Sequence, residues 1–130
     1  MWQFVINSGE IRQDVEHVAW GYSGKGIGKN NPAAQSVPNV GPIPCEFYTI
    51  EDPHDTKDHG PFVLRLIPDV TNVMFGRSGF LIHGDSVQAP GTASEGCIIA
   101  SKLTRLRIWD SGDRRLQVVS GVKSDDKEER

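Results

Sequence analysis

Residues 79–99 read GFLIHGDSVQAPGTASEGCII. The run from Gly79 to His83 is apolar until its last residue, which predicts a short strand held in the core. A loop rich in glycine, proline and serine follows, and a second apolar run starts at Ile98. We expect this second run to anchor the end of the loop to the core. The stretch thus combines a strand, a polar loop and a buried anchor.

Similar strand and turn signals recur along the rest of the chain. We predict about seven short strands, at residues 2–6, roughly 15–22, 47–50, 62–67, 73–75, 79–83 and 116–119. One helix is predicted over residues 101–110, with Ser101 as its N-cap. Its inward-facing side chains are expected to be Leu103, Leu106 and Ile108. The fold class is therefore mainly β, a sandwich or barrel with one short helix late in the chain.

Three segments between the strands are predicted to be loops. Residues 21–32 carry four glycines, and residues 38–44 hold three prolines, which exclude a helix there. Residues 51–61 form a polar loop that contains His54, Asp55, Asp58 and His59. The spacing of these four side chains fits no metal site that can be justified. We interpret the segment as a solvated loop, and we predict no metal and no other cofactor.

The length and charge of the chain limit its function. A chain of 130 residues fits one compact domain, assigned to residues 1–121, followed by a mixed-charge tail at 122–130 that is expected to be disordered. The net charge is −3 and the basic residues are scattered, which argues against binding nucleic acid or anionic membranes. No apolar run approaches the ~20 residues that span a bilayer. Residues 1–6 are too short and lack the positive leader of a signal peptide.

Cys97 and His83 are the residues whose surroundings indicate chemistry. A free thiol has a pKa of ~8.5, so a cysteine nucleophile needs a neighbouring histidine to accept its proton near neutral pH. His83 ends a strand that is predicted to be buried, which would hold its backbone rigidly. The carbonyl of Gly84 or the carboxylate of Asp85 would orient the imidazole ring. We therefore interpret Cys97 as the nucleophile and His83 as its base, acting on a peptide-like substrate.

The turn before Cys97 would complete this arrangement. Gly96 permits a tight turn, so the N–H groups of Gly96 and Cys97 can point at a developing oxyanion. Ser94 is a further polar candidate in the turn, and Glu95 lies between the two. The alternative is a structural histidine and a core cysteine that are merely close in sequence. Cys45 is interpreted as a small buried hydrophobe, since a disulfide with Cys97 would add a cross-link that a chain of this size does not need.

The segment His83-Gly84 followed by Ser94-Glu95-Gly96-Cys97 resembles the signature of YkuD-type L,D-transpeptidases. In that signature a histidine opens the motif and a Ser/Thr-His-Gly-Cys run closes it, so Glu95 stands where those enzymes usually carry a second histidine. Over about residues 20–101 the chain resembles a divergent branch, the L,D-transpeptidase-related domain of type VI secretion effectors, first catalogued as a domain of unknown function. The matching blocks are residues 22–24 with 30–32, 35–44 with 48–50, and 79–85 through 94–98.

This resemblance implies an L,D-transpeptidase-like β fold and a reaction on the tetrapeptide stems of bacterial peptidoglycan. Cys97 would attack the carbonyl of the third stem residue and release D-alanine. Water or a D-amino acid would then complete a carboxypeptidase or an exchange cycle. The resemblance also implies an antibacterial effector that is made in the cytoplasm and acts in the periplasm of a target bacterium after delivery without a signal peptide. Such a role implies an immunity protein as partner.

A peptidoglycan stem carries carboxylates, so its binding cleft should offer cations or N–H donors. Arg77 and the glycine-loop residues Lys25 or Lys29 are the candidate cations, with solvated surface charges as the alternative. Tyr22 and Ser23 are further candidates for lining the cleft.

Two other functions remain open at this point. A papain-like cell-wall cysteine peptidase or amidase would use the same residue types, although such enzymes usually place the cysteine before the histidine and here His83 precedes Cys97. A non-catalytic binding module of a phage or secretion system would keep the scaffold with a buried, unreactive Cys97.

Overall fold

The computed structural model describes residues 1–122 of the chain. That range forms one mixed sheet and one helix. The strands are β1 (Trp2–Val5), β2 (Glu10–Gln13), β3 (Glu16–Trp20), β4 (Tyr22–Ser23), β5 (Glu46–Thr56), β6 (Gly60–Pro68), β7 (Leu81–His83), β8 (Ile98–Ile99) and β9 (Arg115–Val119), and the helix is α1 (Lys102–Asp110). The prediction of a mainly β fold with one short helix is confirmed. The tail predicted over residues 122–130 lies outside the described residues except for Val122.

The sheet closes on itself at Gly21. Its strand order is β3-β2-β1-β9-β5-β6-β7-β8-β4, so β3 and β4 are the two edges. Gly21 alone separates these edge strands along the chain, and the sheet therefore curves until its edges meet. A Cβ on Gly21 would collide with the carbonyl oxygen of Ile99, so the junction needs glycine. The curved sheet surrounds one hydrophobic core.

The core holds the two short strands that flank the candidate catalytic residues. Ile82 of β7 and Ile98 of β8 are paired in register and are almost fully buried. They pack in the same cluster as Trp2 and as Ile108 of α1. Burying one such isoleucine contributes roughly 1.5–3 kcal/mol relative to leaving it exposed. The segments on either side of Ile82 and Ile98 are thus tied to the rigid centre of the domain.

Several predicted strand bounds are wrong. The strand predicted over residues 15–22 missed β2 altogether, because β2 and β3 are joined by a turn at Asp14 and Val15, whose φ angles are 48° and 65°. Residues 73–75 form no strand, and Phe75 has a φ angle of 57°. The loop predicted over residues 51–61 is instead a hairpin, because β5 and β6 remain paired as far as Thr56 and Gly60. The polar residues of this hairpin are held in strands by backbone hydrogen bonds between β5 and β6. The alternation of apolar and polar residues in the sequence does not predict such strands.

The helix is confirmed, although its buried face differs from the prediction. Ser101 caps it, accepting a hydrogen bond at Oγ from the Thr104 N–H at 3.1 Å. Leu103 was expected to face inward but is 78% exposed, whereas Arg105 is only 4% exposed. Ile108 is buried as predicted and Leu106 is half-buried. Within residues 1–122, no helix has the length and apolar character needed to cross a membrane.

Candidate active site

The parallel pairing of β7 and β8 brings His83 and Cys97 into one cleft. Ile82 pairs with Ile98 and His83 with Ile99, which places Cys97 next to Leu81 and two positions along from His83. Residues two positions apart on neighbouring strands share a face of the sheet. Both side chains line a cleft of about 1000 Å³. The two residues paired from the sequence therefore face the same cleft.

The ring of His83 is oriented by the backbone of the next residue. His83 is 3% exposed, and its Nδ1 lies 2.8 Å from the carbonyl oxygen of Gly84. A carbonyl can only accept, so Nδ1 carries the proton and Nε2 presents a lone pair. Of the two orienting groups that the sequence left open, the Gly84 carbonyl makes this contact, whereas the Asp85 carboxylate accepts from Tyr22 Oη at 2.6 Å.

Burial keeps His83 neutral. Loss of solvent lowers the pKa of His83 below its usual 6.5, and the nearby charges of His59 and Arg105 lower it further. The contact with the Gly84 carbonyl opposes this effect. A histidine that is neutral at pH 7 is in the protonation state that a general base requires.

His59 is a residue of the site that the sequence interpretation missed. It lies at the tip of the β5–β6 hairpin, and its ring centroid is 4.5 Å from that of His83 with a tilt of 35°. The sequence suggested only a solvated loop, because His59 and His83 are far apart along the chain. No group of three His, Cys, Asp or Glu side chains within residues 1–122 is arranged to hold a metal ion.

Cys97 is a free, partly buried thiol. Burial raises the pKa of Cys97, and the negative charge of Glu95 raises it further. The Leu81 N–H and the positive charge of Arg77 act in the opposite direction. Both groups are thus neutral at pH 7, Cys97 as a thiol and His83 as an imidazole. Cys45 is also a free thiol, and it does not line the cleft.

The turn before Cys97 is held by a buried hydroxyl. Ser94 is fully buried, and its Oγ accepts from the N–H groups of Gly24 at 2.8 Å and Gly96 at 3.1 Å. The same oxygen donates to the carbonyl of Cys97 at 2.6 Å. The Gly96 N–H is consequently engaged with Ser94, which corrects the expectation that it points at an oxyanion. Ser94 acts here as a support for the turn.

Ser23 and Arg77 hold the same turn from its outer side. Ser23, fully buried, donates from Oγ to the Gly96 carbonyl at 2.9 Å. The guanidinium of Arg77 donates at 2.6–3.3 Å to the carbonyls of Gln35, Gly41, Pro42 and Glu95. Arg77 was expected to be a free cation for the substrate, but its donors are engaged with backbone. We call residues 94–97 together with Ser23 and Arg77 the nucleophile wall; Arg77, Glu95, Gly96 and Cys97 line the cleft, and Ser23 and Ser94 support them from behind.

The remaining predicted substrate residues lie beside the cleft. Tyr22 donates to Asp85 and accepts from the Ala93 N–H at 3.0 Å, and burial raises the pKa of Tyr22 to about 12. Lys25 lies 3.6 Å from Glu95 as a surface ion pair, and Lys29 stacks on the Tyr22 ring at 4.3 Å. Asp85 and Glu95 line the cleft, but Tyr22, Ser23, Lys25 and Lys29 do not.

Arg105 is a second residue that the sequence interpretation missed. It lies in the first half of α1, and it lines the cleft with His83 and Gly84. The inward face predicted from the sequence consisted of Leu103, Leu106 and Ile108, so the burial of Arg105 was not expected. Its guanidinium stands beside Gly84, 3.1 Å from where a Cβ on that glycine would lie. We call His59, His83, Gly84 and Arg105 the base wall of the cleft.

Comparison with known proteins identifies the family. The family model described as the Tlde1 domain matches residues 17–122, a range that includes both walls of the cleft. No curated protein and no solved structure shows a significant match to the chain. The chain therefore belongs to the Tlde1 domain family of type VI secretion effectors.

Proposed function

We propose that this Tlde1 domain is a cysteine-dependent L,D-carboxypeptidase or L,D-transpeptidase that acts on the tetrapeptide stems of peptidoglycan. It would release the terminal D-alanine or exchange it for another D-amino acid, and so act as an antibacterial toxin. The observation that carries the proposal is the convergence of Cys97 and His83 in one cleft, with the Nδ1 proton of His83 bound by the Gly84 carbonyl.

The reaction starts with the neutral pair. His83 Nε2 takes the proton of the Cys97 thiol as the sulfur attacks the carbonyl carbon of the third stem residue. The tetrahedral intermediate collapses, the C–N bond to D-alanine breaks, and the imidazolium returns its proton to the leaving amine. A thioester between Cys97 and the stem remains.

The second half of the cycle resolves this thioester. His83 removes a proton from water, and the hydroxide attacks the thioester carbonyl to give a tripeptide stem. The amine of a free D-amino acid can attack instead, which gives an exchanged tetrapeptide stem. In both cases the Cys97 thiolate leaves and regains a proton from His83.

The dimensions and charge states of the cleft support this assignment. A cleft of about 1000 Å³ can hold a short peptide, and it is open to both reacting side chains. The lowered pKa of His83 supplies an unprotonated base at neutral pH. The raised pKa of Cys97 means that the thiolate forms together with bond formation, and not in the resting protein.

The test is incubation of tetrapeptide-containing muropeptides with the wild type and three variants. We expect the wild type to release D-alanine, or to incorporate an added D-amino acid. Cys97→Ala and His83→Ala should lose more than about 1000-fold in rate while remaining folded, because each removes a reacting group. Cys45→Ala is the matched control, since Cys45 is a free thiol outside the cleft, and it should keep its activity. A folded wild type that releases nothing and exchanges nothing would refute the reaction.

A non-catalytic binding module is the second candidate, because the raised pKa of Cys97 is also what an inert thiol would have. Alkylation with iodoacetamide at pH 7 and turnover of muropeptides together separate the two. Modification of Cys97 no faster than that of a cysteine peptide, together with inactivity on muropeptides, would favour the binding module.

The proposed site of action is the periplasm of the target cell, where an immunity protein would bind the domain. Expression in a test bacterium with and without an added export signal checks this proposal. We expect growth arrest only with export, and only when Cys97 is present. Equal toxicity from the unexported protein would contradict it.

A further inference from the structure

Arg105 is a buried cation that has no carboxylate partner within residues 1–122. It is 4% exposed, although charged side chains are rarely buried unless they are paired. Its Nη1 donates to the carbonyls of Pro61 at 2.9 Å and Phe62 at 3.2 Å, and its Nε donates to that of Ser101 at 3.4 Å. All three acceptors are neutral backbone groups. The charge of the guanidinium is therefore solvated only in part.

The second terminal nitrogen of this guanidinium is available to a ligand. Nη2 of Arg105 has no hydrogen-bond acceptor among the described residues, and it lies beside Gly84, where a Cβ would come within 3.1 Å of it. Burial lowers the pKa of Arg105, and no acidic neighbour offsets this effect. A buried charge without a counter-ion is unfavourable, and an anion bound at Nη2 would relieve the cost.

Two of the three acidic side chains that line the cleft have other partners, and the third is exposed. The Asp85 carboxylate accepts from Tyr22 Oη at 2.6 Å and from the Gly91 N–H at 3.0 Å. Glu95 lies 3.6 Å from Lys25 at the surface. Asp58 is exposed, and no ion pair joins it to Arg105 among the described residues. The anion that complements Arg105 is therefore expected to come from a ligand.

We propose that Arg105 binds the α-carboxylate of the D-amino acid that leaves from, or enters at, the scissile bond, an inference that rests on the proposed function. In an amino acid, one carbon separates the amine from the carboxylate. His83 must give its proton to the leaving amine, so the group that binds the carboxylate must lie close to His83. Arg105 meets this condition: it lines the cleft beside Gly84, the residue that orients His83, and its charge acts on the imidazole.

This placement also explains how hydrolysis and exchange can share one site. The departing D-alanine and an entering D-amino acid carry the same pair of charged groups. A guanidinium that holds the carboxylate positions the entering amine at His83 Nε2, where it loses a proton before it attacks the thioester. Arg105 would thus select amino acids with a free α-carboxylate as leaving groups and as acceptors.

A comparison of three synthetic tetrapeptide stems on the wild-type enzyme tests the assignment without altering the protein. One stem has all its carboxylates free, one has its terminal carboxylate amidated, and one has the side-chain carboxylate of its third residue amidated. Loss of a charge-assisted hydrogen bond is expected to lower kcat/KM for the terminal amide about 10- to 100-fold. Amidation of the third residue should change kcat/KM less than about threefold. A larger loss of kcat/KM for the stem amidated at its third residue would indicate that the protein recognises that carboxylate, and it would overturn the inference. An unchanged kcat/KM for both amidated stems would overturn it as well.

Substitution of Arg105 tests whether this selectivity depends on it. Arg105→Met should bring kcat/KM for the free acid and the terminal amide to within about threefold of each other, and Arg105→Lys should restore part of the difference. Arg107→Met is the matched control, because Arg107 is an exposed arginine of the same helix. Unchanged selectivity in both Arg105 variants would contradict the proposal. If Arg105→Met does not fold, Arg105→Lys and the wild-type comparison decide the question.

Equilibrium binding to Cys97→Ala separates this inference from the proposed reaction. The tetrapeptide and its terminal amide are titrated into this variant, and the free acid should bind about 10-fold more tightly or better. If the wild type has no turnover but this preference is present, the reaction is wrong and the carboxylate site stands. If the wild type turns over the stem but Cys97→Ala binds the free acid no more tightly than the amide, the proposed reaction stands and the role of Arg105 is wrong.

Discussion

The two walls of the cleft differ in how completely their polar groups are paired. On the nucleophile wall, the Ser94 hydroxyl has three backbone partners and Arg77 donates to four carbonyls. On the base wall, Nη2 of Arg105 and Nε2 of His83 have no partner among the described residues. Many hydrogen bonds to backbone from separate segments make a wall rigid, whereas unused donors and acceptors are what a substrate can bind. The difference agrees with our proposals that Cys97 is the nucleophile and that Arg105 binds the ligand.

The largest expected effect comes from removing the guanidinium of the nucleophile wall. Arg77→Met should lower the free energy of unfolding by about 3–5 kcal/mol, because four carbonyls from separate segments lose a charged donor together. Urea denaturation measures the change, with Arg107→Met as the exposed control, which should stay within about 0.5 kcal/mol of the wild type. A loss below about 1 kcal/mol for Arg77→Met would show that this wall does not depend on its arginine.

A smaller effect is expected from the backbone of the same wall. Gly96 has a φ angle of 138°, and a Cβ there would lie 2.5 Å from Arg77 Nη2 and 2.9 Å from the Phe80 ring. Gly96→Ala should therefore cost about 2–4 kcal/mol. Gly76→Ala is the matched control, because Gly76 also has a positive φ angle, 71°, but has open space around it. The control should cost about 1 kcal/mol, and equal losses in the two variants would mean that crowding at the turn is unimportant.

The base wall should contribute less to stability than the nucleophile wall. Arg105→Met removes three hydrogen bonds to backbone carbonyls but also relieves the burial of an unmatched charge. We expect the free energy of unfolding to fall by only about 1 kcal/mol. Urea denaturation alongside Arg77→Met makes the comparison direct. A loss as large as that of Arg77→Met would show that Arg105 is mainly structural.

The smallest effect concerns the pH dependence of the base wall. Because the pKa of folded His83 lies below its ordinary value of 6.5, the unfolded chain binds the proton more readily. The stability that His83 contributes is therefore complete above pH 6.5 and is lost as the pH falls through the folded pKa. The acid limb of kcat/KM should likewise lie below pH 6.5.

Replacing the neighbouring histidine sharpens this prediction. His59→Phe keeps an aromatic ring against His83 but removes the electrostatic effect by which His59 lowers the His83 pKa. The acid limb of kcat/KM should move to higher pH, toward 6.5. His54→Phe is the control, since His54 is exposed and does not line the cleft, and it should leave the profile unchanged. A shift to lower pH in His59→Phe would contradict the role given to His59.

The sequence predicted the fold class better than it predicted where the strands begin and end. Short apolar runs and turn signals were sufficient for a mainly β domain with a helix capped by Ser101. They were insufficient for the β5–β6 hairpin, whose polar residues are kept extended by pairing across strands. They also missed the turn at Asp14, because its positive φ angle is set by the pairing of β2 with β3.

The sequence by itself determined the reacting residues that we propose and the buried segments that hold them. Cys97 and His83 were identified because nucleophilic catalysis requires a thiol and a base, and Gly96 because a tight turn favours glycine. All three lie within one short stretch of the chain. Only the tertiary structure decided which polar groups around them are engaged and which are free. Ser94 and Arg77 proved to be bonded to backbone, while Arg105 lies in the cleft although the sequence had assigned Leu103, and not Arg105, to the inward face of the helix. The reason is physical: hydrogen-bond partners distant in sequence meet only when the chain folds, and burial then determines which charge lacks a counter-ion.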